Sequence, residues 1–329
     1  MQSTMILRCG LACHLFLTPV VVLAGNSEHI VEQVFEEVQQ SEAVLYDPDY
    51  PAIRYSTAPF NHYQTIAEQG WLRRMFDWNH LGRREKVVYA NGVGIALVTL
   101  YGLATWDYGN ADLQVENEGW FGLETKSGGA DKMGHLWSSY AYGDLMGSLF
   151  RDWGYDRPVA AGLSALSSWL FMGAMEVGDS SSPEHGFSVE DTLCNSAGVL
   201  ISYFLQRYPD LDRKFDLRVH YELNVQPDDI FTDYENTAYV LAMELGEFEF
   251  IKDRFLHPFE LQLGYYTRGW TSSLDKEHRV KDRMIYVGIS VDLPLYFGKR
   301  KQKKTQNIFR YLQPPLYSPI DIDYEIDEW

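Results

Sequence analysis

The chain has 329 residues, 46% of them hydrophobic, and carries a formal net charge of -18 at pH 7. Its length is enough for two or more modest domains, and its acidic balance excludes a nucleic-acid binder, which needs a basic face against phosphate. An aromatic share of 15%, with 22 Tyr and 9 Trp, points to contact with a lipid–water boundary, where these side chains gather.

Residues 1–25 read as a secretory signal, with Arg8 ahead of a short apolar core and the small residues of Val22-Leu23-Ala24 at a cleavage position. Cys9 and Cys13 fall inside it without a convincing lipobox, so removal of the signal leaves Cys194 alone and no intramolecular disulfide. Residues 26–84 open with an amphipathic helix over 27–41, built on Ile30, Val31, Val34 and Val38. Prolines and aromatics over 44–64 then predict an ordered but irregular wrap.

Residues 85–207 form the predicted helical domain. No charge interrupts Val87 to Trp106, a run long enough to cross a bilayer. An acidic loop over 107–127 precedes a second helix, Asp131 to Phe150, with Gly143 and Gly147 spaced for close helix approach. Pro158 starts a third, Val159 to Val177, since proline suits a first helical turn. Ser188 N-caps a fourth that reaches Gln206, with Asp191 in capping-box position. Basic residues (Arg83, Arg84, Lys86, Arg151, Arg157, Arg207) and acidic ones (Asp107, Glu118, Asp179, Glu190, Asp191) alternate from one connection to the next, as up-down-up-down topology requires.

Residues 208–329 change character. The pattern predicts a strand over 216–224, a helix over 233–245, and a β-hairpin from 257–266 and 283–297, where Leu261 and Leu263 and then Ile285, Val287 and Ile289 alternate. An acidic, extended tail follows from Pro314. The fold expected from these elements is mainly α: a four-helix up-down membrane-associated bundle with an appended C-terminal β-hairpin region.

Acids, a histidine and an amide recur at helical spacing in the bundle. Asp131 and His135 are four apart, as are Asp191 and Asn195, and each pair therefore lies on one helix face. Glu176 closes the third helix, so the topology gathers Asp131, Glu176 and Asp191 at one end, with His135 one turn inside. One reading makes His135 a general base or metal ligand, with Glu176 and Asp191 as carboxylate partners and Asn195 as an orienting amide. A divalent metal held by Asp131, His135, Glu176 and Asp191 would suit one nitrogen and several oxygens. The other reading is a buried hydrogen-bonded cluster that fixes helix register, with Asp131 and Asp191 as helix-start acids. Asp144, in mid-helix, is expected to pair with a tyrosine or an arginine.

The blocks Ala-Asp-Lys-Met-Gly-His-Leu-Trp-Ser-Ser-Tyr (130–140), Gly-Ala-Met-Glu-Val-Gly-Asp (173–179) and Gly-Phe-Ser-Val-Glu-Asp-Thr-Leu-Cys-Asn-Ser-Ala-Gly (186–198) resemble the YfiM-like family of predicted bacterial periplasmic lipoproteins. More distantly, their D-K-x-x-H, E and D-x-x-x-N order is similar to VanZ-like membrane proteins. The resemblance implies Asp131, Lys132, His135, Glu176, Glu190, Asp191 and Asn195 as the positions that matter. It implies no activity. The expected location is the envelope of a Gram-negative cell, periplasm-facing and associated with the inner or the outer membrane. Taken together, the sequence predicts an envelope protein with a structural or interaction role, partnered by membrane lipid or another envelope protein. The alternative is a metal- or His-dependent hydrolase acting on a lipid-linked or cell-wall substrate at the membrane face.

Overall fold

Four long helices carry the middle of the chain: α1 Arg83–Thr105, α2 Ala130–Asp152, α3 Arg157–Asp179 and α4 Val189–Arg207, with the single turn α5 Pro209–Asp212 after them. The computed structural model describes residues 81–222, 229, 231–251, 255–270, 280–291, 310–313 and 320–326. The predicted signal over 1–25, the helix over 27–41 and the wrap over 44–64 lie outside the described residues. The described residues from Val87 onward form one compact unit.

The segment boundaries follow local chemistry. Gly128 and Gly129 take positive φ (63° and 90°), a conformation glycine adopts without a Cβ penalty, and so turn the chain into α2 directly before Asp131. Ser188 caps α4, its hydroxyl accepting from the Asp191 backbone N at 3.1 Å, a contact worth about 1 kcal/mol. Helices α2, α3 and α4 pack on one another. A Cβ at Gly198 would collide with the Leu136 carbonyl oxygen, so α4 approaches the α2 backbone at the closest distance side chains allow.

Six strands follow or interleave with the C-terminal segments: β3 Phe215–Tyr221, β4 Thr237–Glu244, β5 Phe259–Arg268, β6 Asp282–Val291, β7 Leu312–Gln313 and β8 Ile320–Glu325. They form one sheet in the order β7-β3-β4-β5-β6-β8, antiparallel except where β7 runs parallel to β3. A separate two-stranded ladder pairs β1 Val115–Glu116 with β2 Phe187–Ser188 in parallel. Val219 and Tyr239 pack against Ala130, Met133 and Trp137 of α2, and Leu217 packs against Tyr140 and Leu205, which joins sheet to helices.

The fold is therefore α+β, and the expected four-helix bundle with a hairpin is overturned on two counts. First, α1 does not share the helical core: it leans on it through Val87 and Ala90, buries Val98 and Gly102, and leaves Val88, Val93, Leu97, Leu100 and Leu103 exposed. Its apolar residues ring the helix instead of forming a stripe, so no face is specified for packing. Second, the hairpin is the middle of a six-stranded sheet. The segment predicted as a helix over 233–245 is instead a short 3-10 turn, Tyr234–Asn236, followed by β4, because its tyrosine, valine and leucine pair with β3 and β5 on both sides. Part of the predicted extended tail forms β8.

The sheet is strongly curled. Strands β3 and β6 would lie about 14 Å apart in a flat sheet at the usual strand spacing, yet the Tyr286 hydroxyl meets His220 Nδ1 at 3.3 Å. Its concave face is polar: Arg218, fully buried at 0% exposure, pairs with Asp216 at 2.9 Å, Glu260 at 2.6 Å and Glu244. The opposite face is apolar, and Leu263, Val287 and Ile322 on it stay exposed.

Candidate functional site

The two helix starts and one helix end converge as the spacing requires, around a residue that spacing did not single out. Lys132 is 2% exposed, and its ammonium lies 2.8 Å from Asp131 Oδ2 and 2.8 Å from Asp191 Oδ1, while also donating to Glu118 Oε2. The Asp191 contact is an ion pair without good hydrogen-bond direction, as Asp191 Oδ1 has no hydrogen-bond partner.

His135, with a side chain 13% exposed, sits beside this pair. On its Nε2 side are Asp131 Oδ1 at 3.5 Å and Asp191 Oδ1 at 3.9 Å; on its Nδ1 side are Glu176 Oε1 at 3.3 Å and Asn195 Oδ1 at 3.2 Å. Asn195 is fixed in turn: its amide nitrogen donates to Glu176 Oε1 at 2.9 Å, and its oxygen accepts from the Ser139 hydroxyl at 3.0 Å. With Asn195 Oδ1 as acceptor, Nδ1 of His135 carries a proton. The Ser188 backbone N donates to Glu176 Oε2 at 3.4 Å, tying the end of α3 to the start of α4.

All five predicted site residues, Asp131, His135, Glu176, Asp191 and Asn195, are thus brought together. Of the other positions implied by resemblance, Lys132 is central, whereas Glu190 sits at the edge, accepting from the Ser188 hydroxyl at 3.4 Å. Two members come from outside the helical core. Glu118 arrives because the β1–β2 ladder pins the acidic loop to the α3–α4 connection, aided by Gln114, whose amide donates to Ser182 O at 2.6 Å. Tyr234 arrives from the segment read as a helix, its hydroxyl donating to Asp131 Oδ1 at 2.6 Å. No local pattern flags either one, since Glu118 is one of several loop acids and Tyr234 is 103 residues from its partner. Asp144 lies apart from the cluster and accepts from the Tyr311 hydroxyl, with Arg310 Nη1 at 3.8 Å.

The electrostatics follow from burial and proximity. Burial opposes a charged His135, but Asp191, Asp131 and Glu176 outweigh it and raise its pKa to about 10, so the ring is an imidazolium at neutral pH. Burial likewise opposes the Lys132 charge and is overcome by Asp131 and Asp191, which hold it above its ordinary value. Burial would raise Asp131, yet His135 and Lys132 pull it well below the usual carboxylate range. Burial raises Glu176 far above that range, and burial with Asp191 and Asp131 pushes Glu118 to about 7.

These shifts give a pH dependence with a definite sign. His135 is raised from 6.5 to about 10, so its contribution is fully present below pH 6.5 and is lost as pH rises through about 10. Glu118, raised to about 7, adds a penalty for its charged form that is complete above that pH. His220 is lowered to about 4 and acts below this window. Thermal unfolding followed by circular dichroism is expected to show a falling melting temperature from pH 6.5 to pH 9; a constant or rising one would contradict the arrangement.

One ligand atom each from Asp131, His135 and Asp191 lie within 4.8 Å of one another, a spacing that a metal ion can bridge. Glu176 faces the other ring nitrogen and would orient the imidazole rather than complete that set. Against a divalent ion stands the Lys132 ammonium, which already contacts both carboxylates.

No curated protein and no solved structure matches the chain. The distant likeness to VanZ-like proteins finds no support in these comparisons. Over residues 117–207, which contain α2, α3, α4 and every member of the cluster except Tyr234, the chain matches the family described as predicted periplasmic lipoprotein (DUF2279), in agreement with the resemblance carried by its D-K-x-x-H, E and D-x-x-x-N blocks.

Proposed function

We propose that this is a membrane-associated envelope protein with a structural or interaction role, in which the Lys132 cluster is an internal latch joining α2, α3, α4 and the β1–β2 ladder. The observation that carries this reading is the placement of Lys132. Its ammonium lies 2.8 Å from a carboxylate oxygen of each of Asp131 and Asp191, so the positive charge between these two acids comes from the chain itself. Membrane association is supported by α1, whose apolar residues ring a helix of 23 residues that stays largely exposed. The family description adds a periplasmic location, which fits the outer face of a Gram-negative inner membrane or the inner face of its outer membrane. Partners on this reading are membrane lipid or another envelope protein.

The second reading, a metal- or His-dependent hydrolase acting on a lipid-linked or cell-wall substrate, is favoured by the 4.8 Å grouping of Asp131, His135 and Asp191. Such an ion would supply Lewis-acid chemistry, and Lys132 would have to yield to admit it. His135→Ala separates the two. The latch predicts that this variant loses thermal stability or expression, and that the wild-type protein, purified without chelator, holds well under one equivalent of zinc by elemental analysis. A folded His135→Ala variant that loses a stoichiometric metal and fails to complement a deletion would overturn the latch.

A further inference from the structure

The latch does not involve the apolar face of the sheet. Helices α2 and α4 cover the β3 and β4 end of that face, through Met133, Leu136, Ile201 and Leu205, and α2 also touches β5. What remains between the helices, the sheet and the loop 120–124 is a cavity of about 1360 Å³, walled by Leu217, Leu241, Leu263 and Ile285 among other apolar side chains. It exceeds the roughly 300–1,000 Å³ of pockets for drug-sized ligands. Trp120 and Phe121 stand exposed at its edge.

One cation faces this apolar space. Arg283 lies on the same side of β6 as Ile285 and Val287, lines the cavity, and is 4% exposed. Its Nη1 donates to Phe121 O at 2.6 Å and its Nη2 to Ile326 O at 3.2 Å, while Nε is buried with no partner. Among the described residues no carboxylate pairs with it. Of the two acids on the cavity wall, Asp216 is held by Arg218 at 2.9 Å and Arg310 at 2.7 Å, and Glu124 is exposed on the loop without an ion pair to Arg283. A second cation, Lys281, reaches the same loop, donating to Leu123 O at 3.0 Å. The other buried arginine of this sheet shows the usual solution: Arg218 has three carboxylates. A buried guanidinium left with carbonyls alone, and with an idle N–H, calls for an anion.

We infer that the cavity binds a single- or double-chain lipid, its acyl part along Leu217, Leu241, Leu263 and Ile285 and its anionic head at Arg283. The shared head-group chemistry is a carboxylate or a phosphate monoanion or diester. It would offset the buried charge of the guanidinium, and the chain would cover apolar surface at about 25 cal/mol per Å².

The test uses the full-length protein in a non-ionic detergent below its micelle concentration. Binding of cis-parinaric acid is followed by its fluorescence, and displacement is measured with palmitate, with palmitoyl lysophosphatidylglycerol, with neutral monopalmitoylglycerol and with inorganic phosphate. The expected result is saturable binding near one probe per chain, displacement by both anionic lipids at least tenfold more effective than by the neutral one, and none by inorganic phosphate. The stronger of palmitate and lysophosphatidylglycerol identifies the head as carboxylate or phosphate. Arg283→Met should remove the preference for anionic lipids, and Leu241→Trp should weaken all of them by filling the wall. Should Arg283→Met fail to fold, the wild-type comparison of charged with neutral lipid decides the matter by itself. Non-saturable binding, equal displacement by neutral and anionic lipids, or displacement by phosphate alone would overturn the inference. The His135→Ala measurement is independent of each of these outcomes.

Discussion

Lys132→Met is expected to lower the unfolding free energy by about 3–5 kcal/mol, the usual cost of removing one partner from a buried ion pair. The cost arises from what is left behind. Asp131 and Asp191 lose an ammonium that sits 2.8 Å from each, and Glu118 loses the same donor. Methionine nearly conserves volume, so lost packing contributes little. Urea unfolding followed by circular dichroism gives the magnitude. The double variant Lys132→Met/Asp191→Leu should recover part of the loss, because the stranded charge is then removed and Asp131 keeps His135 at 3.5 Å. Equal losses in the single and double variants would show that Lys132 acts through shape and not charge. A Lys132→Met variant that instead gains stoichiometric zinc would favour the metal-centred reading, since the competing ammonium would be gone.

Arg218→Met is expected to cost at least as much, with a distinctive pH dependence. Three carboxylates, those of Asp216, Glu244 and Glu260, converge on this one guanidinium inside the curled sheet, and Glu260 is fully buried. Without Arg218 the buried acids repel one another and are stripped of solvent, so they favour protonation. The deficit of about 3–5 kcal/mol or more at pH 8 should therefore shrink at pH 5, where protonation relieves it. Unfolding of wild type and variant at both pH values checks this, and a deficit independent of pH would refute the charge argument. Asp216 keeps Arg310 at 2.7 Å.

Position along the chain made the helical part of the site legible. A helix places residues four apart on one face, so Asp131 with His135, and Asp191 with Asn195, had to project together once their segments were helical. Ser188 as a cap followed from the same local chemistry, and the observed Asp191 N to Ser188 Oγ bond is that cap. Alternating charges in the connections placed Glu176 at the same end. Lys132 was visible only through the family blocks, because a lysine at a helix start ordinarily points to solvent. Its burial depends on Glu118 and Asp191 arriving from two other segments.

The sheet was the least legible part, and its polarity explains why. Strands are recognised by apolar residues facing a core and polar ones facing water. Here the concave, buried face carries Arg218, Glu244, Glu260 and Gln262, and part of the apolar face stays exposed at Leu263 and Val287. The alternation in β5 and β6 is plain in the sequence, but nothing local says which side is inside. In β4 the run Tyr-Val-Leu-Ala-Met carries no alternation and suits a helix equally well, until pairing with β3 and β5 decides for a strand.

By itself, then, the sequence determined the four helical segments, the acids and histidine that share their faces, the acidic net charge, and the uncharged apolar run of α1. All of these depend on near neighbours along the chain, through helical period, caps and hydropathy. Only the tertiary structure decided that α1 stays out of the core, that six strands form one curled sheet, that Lys132 lies between Asp131 and Asp191, and that Arg283 lines an apolar cavity with no carboxylate paired to it among the described residues. Those outcomes rest on contacts between residues tens to more than a hundred positions apart, such as Tyr234 with Asp131. Burial and charge pairing set such contacts in three dimensions, and they leave no periodic trace in the chain.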